Sequence, residues 1–408
     1  MTWSLFEAYG IEIEYMIVAE QSLDVRAIAD TLLAKAATEG ANEAVFGDIT
    51  WCNELAAHVV EMKTTSVTTD LPASGRQFAQ NVAHANSLLA EMGACLLPSG
   101  MHPWMDPHTE LRLWPSTYNE IYSAYDTIFG CKGHGWANLQ SMHINLPFAN
   151  DDQFVRLHSA IRMVLPLISG LAASTPYADG RHTGMSDYRM EVYRTNSRRV
   201  PSVTGLVVPE PVSSIEQYHS NVLGRMYQDI APLDTGKVLQ EEWLNSRGAI
   251  ARFDRSAIEI RTVDSQECPG ADLAVAELII ALVRDLVEQT TVDLSRQLNW
   301  SSEDLAKLMR ASWLAGEQTE VHEHRFLRHL GVSRSSATLA QVWGDLAERL
   351  IHSQGLSDSC QQVVEHILTR GTLARRLTSR AGLDTSKDKL RETYRQLADA
   401  LAHNALFE

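Results

Sequence analysis

The chain has 408 residues, 45% hydrophobic and 21% charged, an ordinary globular composition with room for one large catalytic domain and a smaller one. A formal net charge of −16 excludes a uniformly basic nucleic-acid footprint, and no apolar run approaches the ~20 residues a membrane span needs. Five scattered cysteines (Cys52, Cys95, Cys131, Cys268 and Cys360) contain no Cys-x-x-Cys pair, which argues for reduced cytosolic thiols over a disulfide framework or a zinc site.

The N-terminus, Met1-Thr2-Trp3-Ser4, soon reaches Glu7 without a basic segment and apolar core, so no signal peptide and a cytoplasmic location are expected. Gly10–Val18 then predicts a strand, Val25–Thr38 a helix and Ala57–Lys63 a second strand. Pro72–Met92 predicts a long helix with proline near its start, followed by a short buried strand at Ala94–Pro98. Thr117–Phe129 reads as helix, Ala137–Leu146 as strand, Asp151–Ala173 as a long helix, Ala257–Val263 as strand and Ala271–Val287 as helix. After a polar link near Val292–Ser302 nearly everything is helical: Glu303–Ala311, Leu339–Ile351, Ser359–Thr369 and Lys387–Leu401 repeat apolar residues at three- and four-residue spacing. The texture predicts an α+β fold, with helices covering one face of a largely antiparallel sheet. It divides into a catalytic domain over 1–290 and a helical region over 291–408.

Side chains alternate between faces along a strand, so Glu12 and Glu14 of Gly10-Ile11-Glu12-Ile13-Glu14-Tyr15 share one face. That alone describes a plain amphipathic strand. The pattern recurs in three more strands. Val60-Glu61-Met62 sets one acid in an apolar strand, Ser141, His143 and Asn145 share a face, and Glu259 stands opposite Ile258 and Ile260 beside Arg261. Several carboxylates and an imidazole lining one concavity would repel one another, and burying such charge unpaired costs several kcal/mol per ion. A bound divalent cation relieves it, and an oxygen-rich ligand set suits magnesium or manganese. Gly130-Cys131-Lys132-Gly133-His134-Gly135 lacks the phosphate-loop spacing and its Ser/Thr, so it reads as a loop.

In chain order these segments resemble the type-2 glutamate–cysteine ligase and carboxylate–amine ligase family. Gly10–Glu14 is similar to its opening G-x-E-x-E strand, Val60-Glu61 to its second glutamate strand, and Gly100-Met101-His102-Pro103-Trp104 to its G-T-H-P-aromatic loop. Gln140–Asn145, Leu171–Tyr177 with Thr183-Gly184-Met185, Ile258–Asp264 and Glu323–Phe326 resemble four further motifs. The sequence departs from the family at Ser141, which takes the first position of an H-x-H pair, and at His182, which replaces an acid. Arg194–Arg199 matches no family motif. The resemblance implies a glutamine-synthetase-like sheet forming an active-site funnel. It also implies an ATP-dependent reaction in which the γ-carboxylate of glutamate becomes an acyl phosphate and is attacked by an amine such as cysteine. It further implies that Glu12, Glu14, Glu61, His143 and Glu259 hold Mg2+ or Mn2+, that His143 and Arg261 meet ATP, and that Arg261 and Arg189 are catalytic. Arg261 would meet the phosphoryl group, and Arg189 would grip a substrate carboxylate. Small-molecule substrates are the expected partners, with no nucleic acid and no membrane, and a homo-oligomer stays open. Two other readings also stay open: a phosphotransferase of the guanidino-kinase kind, and an ATP-binding relative without catalysis.

Overall fold

A computed structural model describes residues 3–37, 42–116 and 119–408. Met1, Thr2, the predicted helix end at Thr38 and the predicted helix start at Thr117 lie outside the described residues. The strands that build the site are β1 (Gly10–Ala19), β2 (Glu43–Phe46), β3 (Ile49–Asn53), β4 (Val59–Thr64), β5 (Ala94–Leu97), β6 (Ser141–Pro147), the small hairpin β7 (Tyr177–Ala178) and β8 (Arg181–His182), β9 (Ala249–Arg252) and β10 (Ala257–Asp264). All but the hairpin form one eight-stranded sheet, ordered β2-β3-β4-β1-β6-β10-β9, with β5 pairing the far end of β1. Every pairing is antiparallel, as the α+β reading requires.

The central strand β1 sends Ile11, Ile13, Tyr15 and Ile17 into the core, each fully buried. Helices Leu71–Ala90, Asp151–Val164 and Pro269–Val287 cover that apolar face. Asp70 caps the first of these by accepting from Ala73 N at 2.9 Å, a hydrogen bond worth about 1 kcal/mol. The other face of β1 changes character along its length. Glu12 and Glu14 occupy the first half. Met16 and Val18 occupy the second and pack with Leu97, Leu373, Leu377, Leu390 and Tyr394. The last four come from helices Leu373–Ala381 and Lys387–Ala402, so the C-terminal helices close one end of the polar face.

Several boundaries differ from the sequence reading. The first helix starts at Ala29, because Val25 bridges back to Val18. The strand expected from Ala137 starts at Ser141, after a helical turn at His134–Ala137. The helix expected over Asp151–Ala173 is divided at Pro166, whose missing N–H interrupts the ladder, into Asp151–Val164, a 3-10 turn and Ser169–Ala172. Strands β2, β3 and β9 went unpredicted.

Candidate active site

The sheet register aligns the polar residues in rows. Cys52 faces Glu61 across β3 and β4, and Glu61 faces Glu14 across β4 and β1. In the next row Thr50 faces Lys63, Lys63 faces Glu12, and Glu12 faces His143. Asn145 faces Glu259 across β6 and β10. Of these rows, Glu12, Glu14, Glu61, Lys63, His143 and Glu259 floor a cavity of about 340 Å³. Helix Asn119–Phe129 supplies Tyr122 and Tyr125 to its walls, and helix Tyr188–Tyr193 supplies Arg189 and Tyr193. Trp136 and Trp243 also line it, each packed against Tyr125 with ring centroids 5.1 and 5.9 Å away.

All the site residues named from sequence line this cavity: Glu12, Glu14, Glu61, His143, Glu259, Arg189 and Arg261. Ligand atoms of Glu12, Glu61 and His143 lie within 4.8 Å of one another, as do those of Glu14, Glu54 and Glu61. Glu259 stands apart from both groups. It is 1% exposed and engaged by cations: Arg261 Nε pairs with Oε1, Arg252 lies 3.2 Å from Oε2, and His143 Nδ1 lies 3.8 Å from Oε1.

His143 is the junction of the floor. Its Nδ1 is 3.2 Å from Glu12 Oε2 and its Nε2 is 2.8 Å from Ser141 Oγ. Ser141 donates from its backbone N–H and its hydroxyl to Glu14 Oε2, at 2.6 and 3.1 Å. Burial would strip the His143 proton, but the Glu12 hydrogen bond and the charges of Glu14 and Glu259 push the imidazole up to about 9. Burial would also raise the Glu12 carboxyl, yet His143, Arg255 and Arg261 hold it well below the usual carboxylate range. The opposite holds for Glu61. Burial and the charges of Glu12 and Glu54 drive it well above its ordinary value, with Lys63 and the Cys52 thiol only partly offsetting them. Burial and the Glu14 charge push Glu54 up to about 8.

Arg189 is 1% exposed, so it is no solvated loop arginine. Its Nε pairs with Asp264 and its Nη1 donates to Arg261 O at 3.3 Å, while among the described residues Nη2 has no protein partner. Asp264 also accepts from Ser174 N at 2.7 Å and from Thr175 Oγ1 at 3.2 Å, which joins the Leu171–Tyr177 segment to β10. Strict alternation would aim Asp264 to the side of Ile258 and Ile260. A bulge between Ile260 and Val263 shifts the phase and turns Asp264 toward Arg189.

Sequence reasoning missed Glu54, Lys63, Arg252, Arg255 and the aromatic wall. Glu54 follows the unpredicted β3, whose Ile49-Thr50-Trp51-Cys52-Asn53 shows no alternation because all five residues are buried. Arg252 and Arg255 flank the β9–β10 turn, and the stretch Ala249-Ile250-Ala251-Arg252 just before Asp254 was an available hairpin signal.

The model of glutamate–cysteine ligase family 2 matches residues 8–398, and the chain belongs to that family. The family makes it an enzyme of the carboxylate–amine ligase kind. It is 34% identical over 284 residues to an uncharacterized protein of Archaeoglobus fulgidus, covering 70% of this chain and 76% of that one. It is 26% identical over 403 residues to a provisionally named glutamate–cysteine ligase 2-1 of Streptomyces avermitilis, covering 95% of this chain and 98% of that one. The fold matches the crystal structure of glutamate–cysteine ligase from Francisella tularensis in complex with AMP, at a TM-score of 0.65 and 11% identity, over 98% of this chain and 89% of that one. The fold is glutamine-synthetase-like. Among the described residues no helix is long and apolar enough to cross a membrane.

Proposed function

We propose that this chain is an ATP- and divalent-cation-dependent ligase that activates the γ-carboxylate of glutamate as an acyl phosphate and joins it to an amine such as cysteine. One observation carries the reading: five carboxylates (Glu12, Glu14, Glu54, Glu61, Glu259) and four guanidinium groups (Arg189, Arg252, Arg255, Arg261) line the same cavity. Nucleotide binding is further supported by the AMP named with the Francisella structure.

The donor set suits a hard cation, since carboxylate oxygens dominate both ligand groups and Glu61 belongs to each. Glu54 and Glu61 are raised mainly by burial and by other acids, the signature of a cluster short of positive charge. Magnesium or manganese held there would screen the triphosphate from the substrate carboxylate so that the two anions meet. Glu12, Glu14, Glu54, Glu61 and His143 are the proposed holders. Glu259 instead keeps Arg252 and Arg261 at the cavity floor. Arg261 uses Nε on Glu259, and its other N–H groups serve the transferring phosphoryl oxygens. Arg189 offers its Nη2, unpartnered among the described residues, to a substrate carboxylate, with Asp264 fixing the fork. Attack by the amine nitrogen forms the C–N bond and expels phosphate. Residues 1–290 form the catalytic domain in this reading and supply every lining side chain, with 291–408 as its support.

The test is a coupled ADP-release screen across amino acids and amines, with glutamate and Mg–ATP held constant. A ligase releases ADP only when an acceptor is present. Release without any acceptor marks a phosphotransferase, and no release with any acceptor marks a non-catalytic relative.

A further inference from the structure

A second cavity, of about 510 Å³, shares no lining residue with the first. It lies between the helices Leu294–Leu298 and His324–His329, and the first of these packs on helix Asp151–Val164 over the apolar face of the sheet. Arg296, Arg325, Arg328 and His329 converge on it, with Asn299 and Thr291. In a chain of net charge −16 such a concentration of cations is a local inversion. Asp293 lies 3.3 Å from Arg296 and takes one of these charges. Glu323 spends one oxygen on the backbone N–H of Arg325, at 3.2 Å. Among the described residues neither Arg325 nor Arg328 forms a side-chain ion pair, so two guanidiniums at the cleft are without a paired carboxylate.

Two of the basic groups are held in place. The Arg325 guanidinium lies 4.1 Å from the ring centroid of buried Trp300. The Trp300 indole N–H donates to His329 Nδ1 at 3.1 Å. An indole nitrogen can only donate, so Nδ1 of His329 accepts, and the ring carries its proton on Nε2 as a further donor. Thr291 Oγ1 donates to His329 O at 2.6 Å and ties the loop to the helix. Burial, then the charges of Arg325, Arg296 and Arg328, lower the His329 pKa, with Asp293 opposing them.

We propose that this cleft binds a small phosphate-type anion carrying at least two negative charges, with Arg296, Arg325 and Arg328 as its charged donors and His329 Nε2–H as a neutral one. Planar guanidinium forks match phosphate oxygens in pairs, and a dianion offers one charge to each of the two unpaired guanidiniums where a single carboxylate would not. The site is independent of the reaction at the acidic cavity.

The test is calorimetric titration of the full-length protein with pyrophosphate, in chelator so that no cation bridges the anion to the acidic cavity. One site is expected. Arg328→Gln should weaken it about tenfold, and Arg296→Gln with Arg328→Gln about a hundredfold, the scale of removing one charge-assisted hydrogen bond at each step. Both arginines are exposed, and a near-ultraviolet spectrum checks that the variants keep their packing. Arg261→Lys should bind pyrophosphate like the wild type. The proposal fails if pyrophosphate does not bind at millimolar concentration, if the arginine variants bind equally well, or if Arg261→Lys abolishes binding. Citrate binding more tightly than pyrophosphate would overturn the phosphate class.

Discussion

His102 sits in the Gly100–Trp104 loop and is fully buried. Its Nε2 lies 2.7 Å from Leu23 O, and its Nδ1 accepts from Trp104 N at 3.3 Å. A carbonyl can only accept, so the ring donates from Nε2 and accepts at Nδ1, which is the neutral form. A second proton, on Nδ1, would face an N–H. Burial lowers the pKa from 6.5 to about 4, with the Leu23 hydrogen bond and the Asp24 charge opposing it. The unfolded chain therefore takes up a proton below about pH 6.5 that the folded chain refuses until about pH 4. Stability from this group falls as pH falls across that window. At 1.36 kcal/mol per pH unit the loss reaches about 2 kcal/mol at pH 5 and about 3.4 kcal/mol below pH 4. Total acid stability would not isolate it. Glu54 and Glu61, whose pKa values are raised, favour the fold as pH falls, in opposition to His102. The informative quantity is the difference between wild type and His102→Gln, which keeps a donor toward Leu23 O and does not titrate. Urea denaturation at a series of pH values should show the wild-type advantage shrinking by about 2 kcal/mol between pH 7 and pH 5. An advantage that stays constant from pH 7 to pH 4 would refute the reasoning.

Arg261→Lys keeps the charge and loses the planar fork, so turnover should fall about 10²-fold with a much smaller change in ATP affinity, and equal losses in both would make Arg261 a ground-state clamp. Glu61→Gln removes an acid whose raised pKa costs stability as pH rises above the ordinary carboxylate range. In chelator at pH 8 the variant should melt higher than wild type, at about 1 °C for each kcal/mol regained, while turnover is abolished; a lower melting temperature would make Glu61 a structural acid. ATP affinity should collapse in excess chelator, and undiminished binding there would remove the cation from the proposal. Gly100→Ala would set a Cβ 2.8 Å from Thr175 Cγ2 and 2.9 Å from Asp264 Oδ1, so it should cost about 1–3 kcal/mol and disturb the Arg189–Asp264 pair, and an unchanged melting temperature and turnover would contradict that packing.

The legible part of the site is the part written with a period of two. Glu12 and Glu14, then Ser141, His143 and Asn145, then Glu259 each alternate with core residues, and a strand of any register displays them together. Glu54 carried no such mark, because it follows a strand buried on both faces. Asp264 belongs to a recognisable motif, but its role depends on the β10 bulge, which alternation cannot foresee. The helical tail was legible from its three- and four-residue spacing, whereas its burial of Met16 and Val18 depends on packing between segments more than 350 residues apart in the chain. Pro166 was in plain view inside the long helix expected over Asp151–Ala173, and the break follows from its missing N–H.

Strand order explains why the site needs both ends of the catalytic sheet. Glu12, Glu14, Glu54 and Glu61 come from β1, β4 and the turn after β3, so one half of the floor is acidic. Arg252, Arg255 and Arg261 come from β9, β10 and their turn, so the other half is basic. Strand β6 lies between the halves and faces the cavity with Ser141 and His143. Two strand spacings, about 10 Å, separate β1 from β10. An acidic half and a basic half side by side suit the proposed reaction, which brings a triphosphate to a carboxylate. His143 Nδ1, 3.2 Å from Glu12 and 3.8 Å from Glu259, joins the two halves, and Arg255 of the basic half also reaches Glu12 at 3.6 Å. The acidic half alone would not be stable as charged, because its acids would repel one another, whereas Glu259 on β10 already holds Arg252 and Arg261 within the basic half. The pairing of β6 with β1 on one side and β10 on the other therefore assembles the sheet and balances the charge of the cavity in the same step.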